Sequence, residues 1–422
     1  LEEKWRREKG IVSMDRLAVL PRVTELEPEH ASALEHAATL PATAHISLVT
    51  SLAGLLALEG GWRALEKSAQ ASPTVFQSFD WVSAWCRTYC AQDSCPDIHV
   101  IAGFEANRLV FVWPLMRTRR AGISVLCWLT EPFGQYGDVL CAQGQCARMW
   151  VANALRFIRR LRGIDLLRLR HVRDDSALAG VAAQELVNAK LNERAPYLDL
   201  SQFSTEADYE NRYTGTQRKR RKKIRKHLEE FGAVSFTRLP LGALSDKAIS
   251  EAIAEKNKWL AERGRINQVM CCPSHIEFLK TLSRTRQQDF EMVVTELKAG
   301  DRPVSWEISF RFGGTHFAYI TSHANDLTDL SPGRLHFDLS QRACLADGMK
   351  AFDLMVPYDA HKESWSSACM PTQDYFLPFS RKGRIAGTLY LSHIRPALRA
   401  LYYRMPQSLL RYINPLRATP KE

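Results

Sequence analysis

"THFAYITSHANDLTDLSPGRLHFDLSQRACLADGMKAFDLMV", Thr315 to Val356, runs from a strand pattern through a loop into a helix pattern and out into a second apolar strand. Ser331-Pro332-Gly333 stands at the loop-to-helix junction. Serine suits an N-cap, proline the first helical position, and glycine lets a ligand approach the backbone. The free first-turn N–H groups and the positive end of the helix dipole then face the end of the preceding strand, a place for a phosphate or pyrophosphate. Arg334 adds a bidentate donor there. The same three residues also make an ordinary helix start.

Working outward, "FEMVVTELKAGDRPVSWEISFRF" reads as two apolar runs around a turn at Lys298 to Asp301. The order hairpin, strand, loop, helix, strand occurs earlier too. "IHVIAGFEANRLVFVWPLMRT" turns at Glu105 to Arg108, "SVLCWLT" follows, then the Gly-rich loop "EPFGQYGDVL", a basic amphipathic helix over about 146–162, and the strand "IDLLRLRHV". Asp165 and Asp353 fall at corresponding strand starts. Before the first hairpin, "PTVFQSFDWVSAWCRTYC" predicts an aromatic-faced helix entered through a turn at Ser72-Pro73. "AVSFTRLP" and "DKAISEAIAEKNKWLAERG" predict a strand and a helix ahead of the second hairpin.

The chain has 422 residues, 45% hydrophobic and 24% charged, the composition of a soluble globular protein with two domains. Its net charge of +11 is local. "TQRKRRKKIRKHLEEFG", Thr216 to Gly232, carries eight Lys or Arg between Arg218 and Lys226. Ile224, Leu228 and Phe231 give that segment one apolar face, and Gly232 suits a C-terminal cap. Arg225 and Lys226 have Glu229 and Glu230 four residues on, whereas Arg218 to Lys223 have no such partners and oppose the macrodipole. Either that segment frays into solvent or an anion offsets the repulsion, as it would where the run rims an acceptor or CoA cleft.

Ten cysteines without C-x-x-C spacing read as reduced thiols, with no metal framework. Cys271-Cys272-Pro273 reads as a buried loop. Residues before Met14 carry no weight in the reading. "HISLVTSLAGLLAL" is the one candidate membrane segment, and its apolar core falls short of the roughly 20 residues a spanning helix needs, so the expected compartment is cytoplasmic. The tail after Lys382 is basic and amphipathic, suited to docking on the protein body or on an anionic membrane surface.

In combination, "AYITSHAND", "SPG" opening the helix, "GMKAFDL" after it and "HKESW", with "FQSFDW", "VFVWPL", "GQYGDVL" and "LEEFG" upstream, resemble the CelD/BcsL-type acetyltransferases, a GNAT branch related to the FemAB-like double-GNAT proteins. The likeness covers roughly residues 70–385. It implies an α/β (α+β) fold of two GNAT-like lobes, each a mixed, mostly antiparallel sheet flanked by helices. The expected division is an N-terminal extension at 1–70, partly disordered, lobes at 71–200 and 201–385, and a basic tail at 386–422. It implies acetyl-CoA or another acyl-CoA as co-substrate, bound at Ser331, Gly333 and Arg334. It also implies an amine acceptor, small or sugar-linked, in a setting of cellulose or exopolysaccharide production. The alternatives are a FemAB-like aminoacyl transfer from tRNA, and a non-enzymatic nucleic-acid or membrane-surface binder using the basic helix. The run lacks interleaved aromatics, against the last of these.

N-acyl transfer needs an unprotonated amine, a proton acceptor and donors for the developing oxyanion. His323 is the expected general base by residue type, Asp353 the group that orients the amine, and Tyr358 the donor to a leaving thiolate. Lys362 and Trp365 are expected at an anionic group of acceptor or donor, and Gln77 and Asp138 at the acceptor cleft between lobes. His323 and Asp353 each have a structural reading as well.

Overall fold

Ala106 and Asn107 both adopt left-handed backbone, φ 47° and 62°, the geometry a two-residue hairpin loop requires. The computed structural model describes residues 39–69, 74–91, 95–267, 269–285, 290–406 and 409–410. The Met14 start and the Ser72-Pro73 turn lie outside them. The strands in chain order are β1 Ala44–Val49, β2 Asp97–Glu105, β3 Arg108–Arg120, β4 Ile123–Trp128, β5 Leu140–Cys141, β6 Leu166–Arg173 and β7 Val187–Asp199. β8 Val234–Arg238, β9 Glu291–Ala299, β10 Arg302–Phe312, β11 Thr315–His323, β12 Ala351–Asp353 and β13 Ala368–Pro378 complete the set.

They form one sheet in the order β1-β2-β3-β4-β6-β13-β7-β12-β11-β10-β9-β8, with β5 paired to β3. The order is a mirror: β2-β3-β4-β6 from one edge corresponds to β9-β10-β11-β12 from the other. Within each half the last two strands, β4/β6 and β11/β12, are parallel, with helix Ala147–Arg160 or helix Pro332–Ala346 as the crossover. Both predicted hairpins, and the repeated order, are present. The two central strands are exchanged. β7 follows β6 in the chain yet pairs with β12, and β13 follows β12 yet pairs with β6.

The lobes also share one core. Trp81, on helix Phe79–Cys90, meets Phe278, Phe310 and Tyr319 of the second half edge-on. Tyr319 donates its hydroxyl to the Phe133 carbonyl at 3.1 Å. The Trp81 helix is capped by Ser78, which accepts from the Trp81 amide.

Several local expectations change. β1 and the helices Leu52–Ala57 and Glu59–Lys67 lie inside the stretch expected as an extension, and β1 pairs with β2, so the candidate membrane segment is a strand and a short helix. Among the described residues no helix is long and apolar enough to cross a membrane. Cys90 and Cys95 form a disulfide, because the end of the aromatic helix and the start of β2 stand side by side, so the thiols are not all free. Cys271 is exposed rather than buried, and Cys272 caps helix Pro273–Arg284.

The basic helix spans Gly215–Glu229 and opens with a capping box between Thr214 and Gln217. It packs through Ile224 and Leu228, whereas Phe231, beyond its end, is half exposed. Arg221 does have partners, on other helices: it bonds Asp338 at 2.9 Å and Glu210 at 2.8 Å and lies over the Tyr213 ring. That ion pair clamps the basic helix to Pro332–Ala346.

Candidate acyl-transfer site

β11 and β12 are joined by only three residue pairs, at Thr315–Phe317, so beyond Phe317 β11 continues without its parallel neighbour. A cavity of ≈ 580 Å³ opens beside that continuation, walled by β10, β11, helix Ala243–Glu262, the first turn of Pro332–Ala346 and the segment Asp359 to Lys362.

His323, at the end of β11, lines it. The Thr328 hydroxyl donates to the Asn325 carbonyl at 2.7 Å, so it accepts from His323 Nε2, 3.3 Å away. That leaves the Nδ1 lone pair on the side of Gly333, where a Cβ would sit 3.7 Å from it. Burial, with Lys256, Arg263 and His361 nearby, holds the imidazole down at about 4.

Lys362 Nζ donates to the Met355 and Pro357 carbonyls at 2.9 and 3.0 Å, which leaves its third proton for the cavity. Burial brings this amine down to about 8. Lys256 bonds the Thr321 carbonyl at 3.0 Å and is also lowered by burial. Arg263 stacks on Trp259, 4.1 Å from the ring centroid. Of the cavity's carboxylates, Glu255 accepts from Asn325, Asp359 from the Lys362 amide, and Glu307 through Oε1 from His316 and Ser340, while Glu307 Oε2 is buried with no hydrogen-bond partner among the described residues. Among the described residues Lys256 and Lys362 make no ion pair, with Asp359 the lining carboxylate that acts on both, whereas Arg263 has Glu262 at 4.0 Å.

The helix start departs from expectation. Ser331 is left-handed, φ 56°, and its side chain makes no cap bond. Pro332 is at the first position as predicted, but the Arg334 amide is already used by the Ser331 carbonyl at 3.0 Å, so Gly333 carries the first-turn amide left for a ligand. Gly333 lines the cavity, whereas Arg334 faces the other way, into a pocket of ≈ 260 Å³ shared with Arg220, Gln217, Tyr213, Ser364 and Trp365. Arg220 and Arg334 repel one another there, and among the described residues neither guanidinium has a carboxylate partner. Trp365 is buried and its Nε1 has no hydrogen-bond partner among the described residues.

The remaining expected site residues lie elsewhere. Asp353 is buried and consumed by Tyr136 Oη at 2.9 Å, Arg173 Nη1 at 2.8 Å and the Met355 amide at 2.7 Å, so it fastens the lobes instead of facing the cavity. Tyr358 stacks with Arg194, 4.0 Å from guanidinium carbon to centroid, outside the cavity. Asp138 accepts the amides of Val139, Ala177 and Leu178, and Gln77 donates to the Tyr136 carbonyl; both are buried within the first lobe's loops. Sequence reasoning missed Lys256, Trp259 and Arg263, whose three- and four-residue spacing places them on one helical face. It also missed Glu307, a lone carboxylate in an apolar strand. Among the described residues no three or more His, Cys, Asp or Glu are grouped to hold a metal.

The second lobe's parallel strands thus part beside a helix N-terminus, within a sheet whose strand order is mirrored, and His323 stands at the parting. Residues 216–363 match the family model described as "Acetyltransferase (GNAT) domain". Among solved structures the chain is similar to FemX, at 9% identity and TM-score 0.54 over 82% of this chain and 99% of that one. It is also similar to the C-terminal DUF2156 domain of an Agrobacterium fabrum protein, at 11% identity and TM-score 0.50 over 81% and 96%. At such identities the likeness is one of fold. No curated protein sequence matches the chain significantly.

Proposed function

We propose that the protein is an acyl-CoA-dependent N-acyltransferase whose working site is the cavity of the second lobe. The observation that carries this reading is the split first turn of helix Pro332–Ala346: Gly333 opens on the cavity beside His323, and Arg334 opens on a second, cationic pocket. A phosphorylated thioester needs that division, with its acyl end on one side and its charge on the other. Gly333 and Arg334, with Arg220, would hold the phosphates, and the unpartnered Trp365 Nε1 lies on the same wall. When bound, the thioester supplies the activated acyl group.

The chain's own residues account for the rest. The cations Lys256, Arg263 and Lys362 disfavour an ammonium in the cavity and so favour the neutral, nucleophilic amine. His323 Nδ1 is the lone pair that takes the amine's proton. Lys362 Nζ, at about 8, is the proton donor for the departing thiolate, in the role the sequence suggested for Tyr358. Lys256 and Lys362, which make no ion pair among the described residues, also suit an acceptor that bears a carboxylate or phosphate besides its amine. The CelD/BcsL-type motifs favour a small or sugar-linked amine.

Thermal shift with acetyl-CoA and longer acyl-CoAs tests the reading, since a ligand of the native state raises the melting temperature. The shift is expected for the wild type, is lost in Gly333→Asp and is weakened about tenfold or more in apparent affinity in Arg334→Gln. No shift with any acyl-CoA overturns it. The second reading, aminoacyl transfer from tRNA, is favoured by the fold likeness to FemX and by the exposed cations Lys219, Lys222, Lys223 and Lys226 on the basic helix. Salt-sensitive tRNA binding with no acyl-CoA response would select it.

A further inference from the structure

Arg381–Ile385, Ala386–Ile394 and Arg395–Arg404 make one unbroken helical run, its middle part π-helical. It docks on the sheet by an unusual face. Gly383 and Gly387 sit so close that added Cβ atoms would stand 1.8 Å from the Asp165 carbonyl oxygen and 2.3 Å from the Phe376 ring. Further along the same face Leu391 is buried, Arg395 bonds Asp374 at 2.9 Å and Arg399 pairs with Glu193. The other face is apolar and open: Ile385 is 65% exposed, Leu389 53%, Ile394 39%, Leu398 55% and Leu401 53%. A helix that packs only against its own protein hides its apolar side and shows its polar one. This one uses glycines and ion pairs inward and leucines outward.

Its charge is of one sign. Arg381, Lys382, Arg384, Arg395, Arg399 and Arg404 stand in this run with no Asp or Glu, and the first three are exposed beside the start of the stripe. We propose that this helix seats the protein on an anionic lipid surface, lying in the plane of the interface with the stripe among the acyl chains and the exposed Arg381, Lys382 and Arg384 on the headgroups. The charge complementarity selects lipid over an apolar protein partner. The assignment is independent of the acyl-transfer reading, because the stripe lies outside both pockets.

Co-sedimentation of the full chain with vesicles tests it. Vesicles of phosphatidylcholine mixed with phosphatidylglycerol are expected to bind at least about tenfold more tightly than phosphatidylcholine alone, with loss at high salt. The double variant Leu389→Glu/Leu398→Glu is expected to stay in the supernatant while keeping the wild-type melting temperature. Arg381→Gln/Lys382→Gln/Arg384→Gln is expected to erase the preference for phosphatidylglycerol. The proposal is overturned if the full chain ignores phosphatidylglycerol vesicles, or if the leucine variant binds them as the wild type does. It is equally overturned if light scattering shows a wild-type dimer that the leucine variant makes monomeric while neither binds vesicles, because the stripe is then a contact between copies. Binding that appears only after residues 1–38 are removed overturns it for the full chain.

Discussion

Tyr136, in the first lobe's Gly-rich loop, donates a 2.9 Å hydrogen bond to Asp353, on the second lobe's parallel strand. The other oxygen of Asp353 takes Arg173 Nη1 at 2.8 Å, and the Arg173 guanidinium lies over the Tyr136 ring. The three residues close a buried triangle across the lobe junction. Asp353→Asn keeps the shape and removes one of the two carboxylates that balance Arg173, the other being Asp175. Because Asp175 still pairs with Arg173, the loss should be smaller than the about 3–5 kcal/mol of orphaning a buried charge, and the urea midpoint should fall. Acyl-CoA affinity, measured well below that midpoint, should stay near wild type, which separates this fastening role from a part in the chemistry.

The exchanged strands carry a stronger expectation. Residues 39–200 would keep β7 but lose β13, the neighbour that covers β6, and residues 201–406 would keep β13 but lose β7, the neighbour of β12. Each half would expose a parallel edge and its share of the Trp81 cluster. Neither half expressed alone should show a cooperative thermal transition, whereas the whole chain should unfold in one step by both fluorescence and circular dichroism.

The repeat was legible because hairpin turns and apolar runs are local signals, and both halves carry them at Glu105 to Arg108 and Lys298 to Asp301. The exchange of β7 and β13 was not, because pairing partners of a strand are set by distant backbone and leave no trace in its own pattern. The same division runs through the site. His323, Gly333 and Lys362 could be found from a short motif and its flanks, and they do line one cavity. Asp353 and Tyr358 follow from residue type near that motif, and Asp138 and Gln77 from the first lobe's loops; long-range partners, Tyr136 and Arg173 for Asp353 and Arg194 for Tyr358, hold the first two elsewhere. Arg221 shows the reverse case, a residue in a solvent-facing run whose counter-ions Asp338 and Glu210 arrive from other helices.

The roles proposed for His323 and Lys362 set an expected pH dependence of turnover. Held at about 4, His323 is already unprotonated at pH 5, so the rate should show no limb near the ordinary histidine value. Lys362, at about 8, must be protonated to donate, so the rate should fall above about pH 8. His323→Gln should lower kcat by about 10²–10⁴ with little change in KM. In Lys362→Met the alkaline limb should vanish together with most of the rate. A wild-type limb at pH 6.5, or an unchanged kcat in His323→Gln, would remove His323 from the mechanism.

Stability should respond to acid through a wider set of histidines. Burial holds His171, His323 and His336 at about 4 and His275 at about 3. Their unfolded values lie near 6.5, so between pH 6.5 and 4 the unfolded chain binds protons that the native one refuses, and stability is lost as pH falls through that window. Each such proton contributes about 1.4 kcal/mol per pH unit. Asp138, pushed up to about 7 by burial, works the other way there, since its native form is the one that binds the proton. His316, pushed up to about 9 against burial by Cys344 and Glu307, adds stability below pH 6.5 that is lost as pH rises through 9. His275 isolates the acid effect. Its Nε2 faces the Tyr319 hydroxyl at 3.2 Å, and Phe133 and Tyr319 pack around it. His275→Phe retains an aromatic ring in that cluster, leaves Tyr319 its bond to Phe133, and removes one titrating group. Urea midpoints measured from pH 4.5 to 7 should therefore fall less steeply with acid in His275→Phe than in the wild type, and parallel slopes would mean that this imidazole takes up its proton without unfolding the chain.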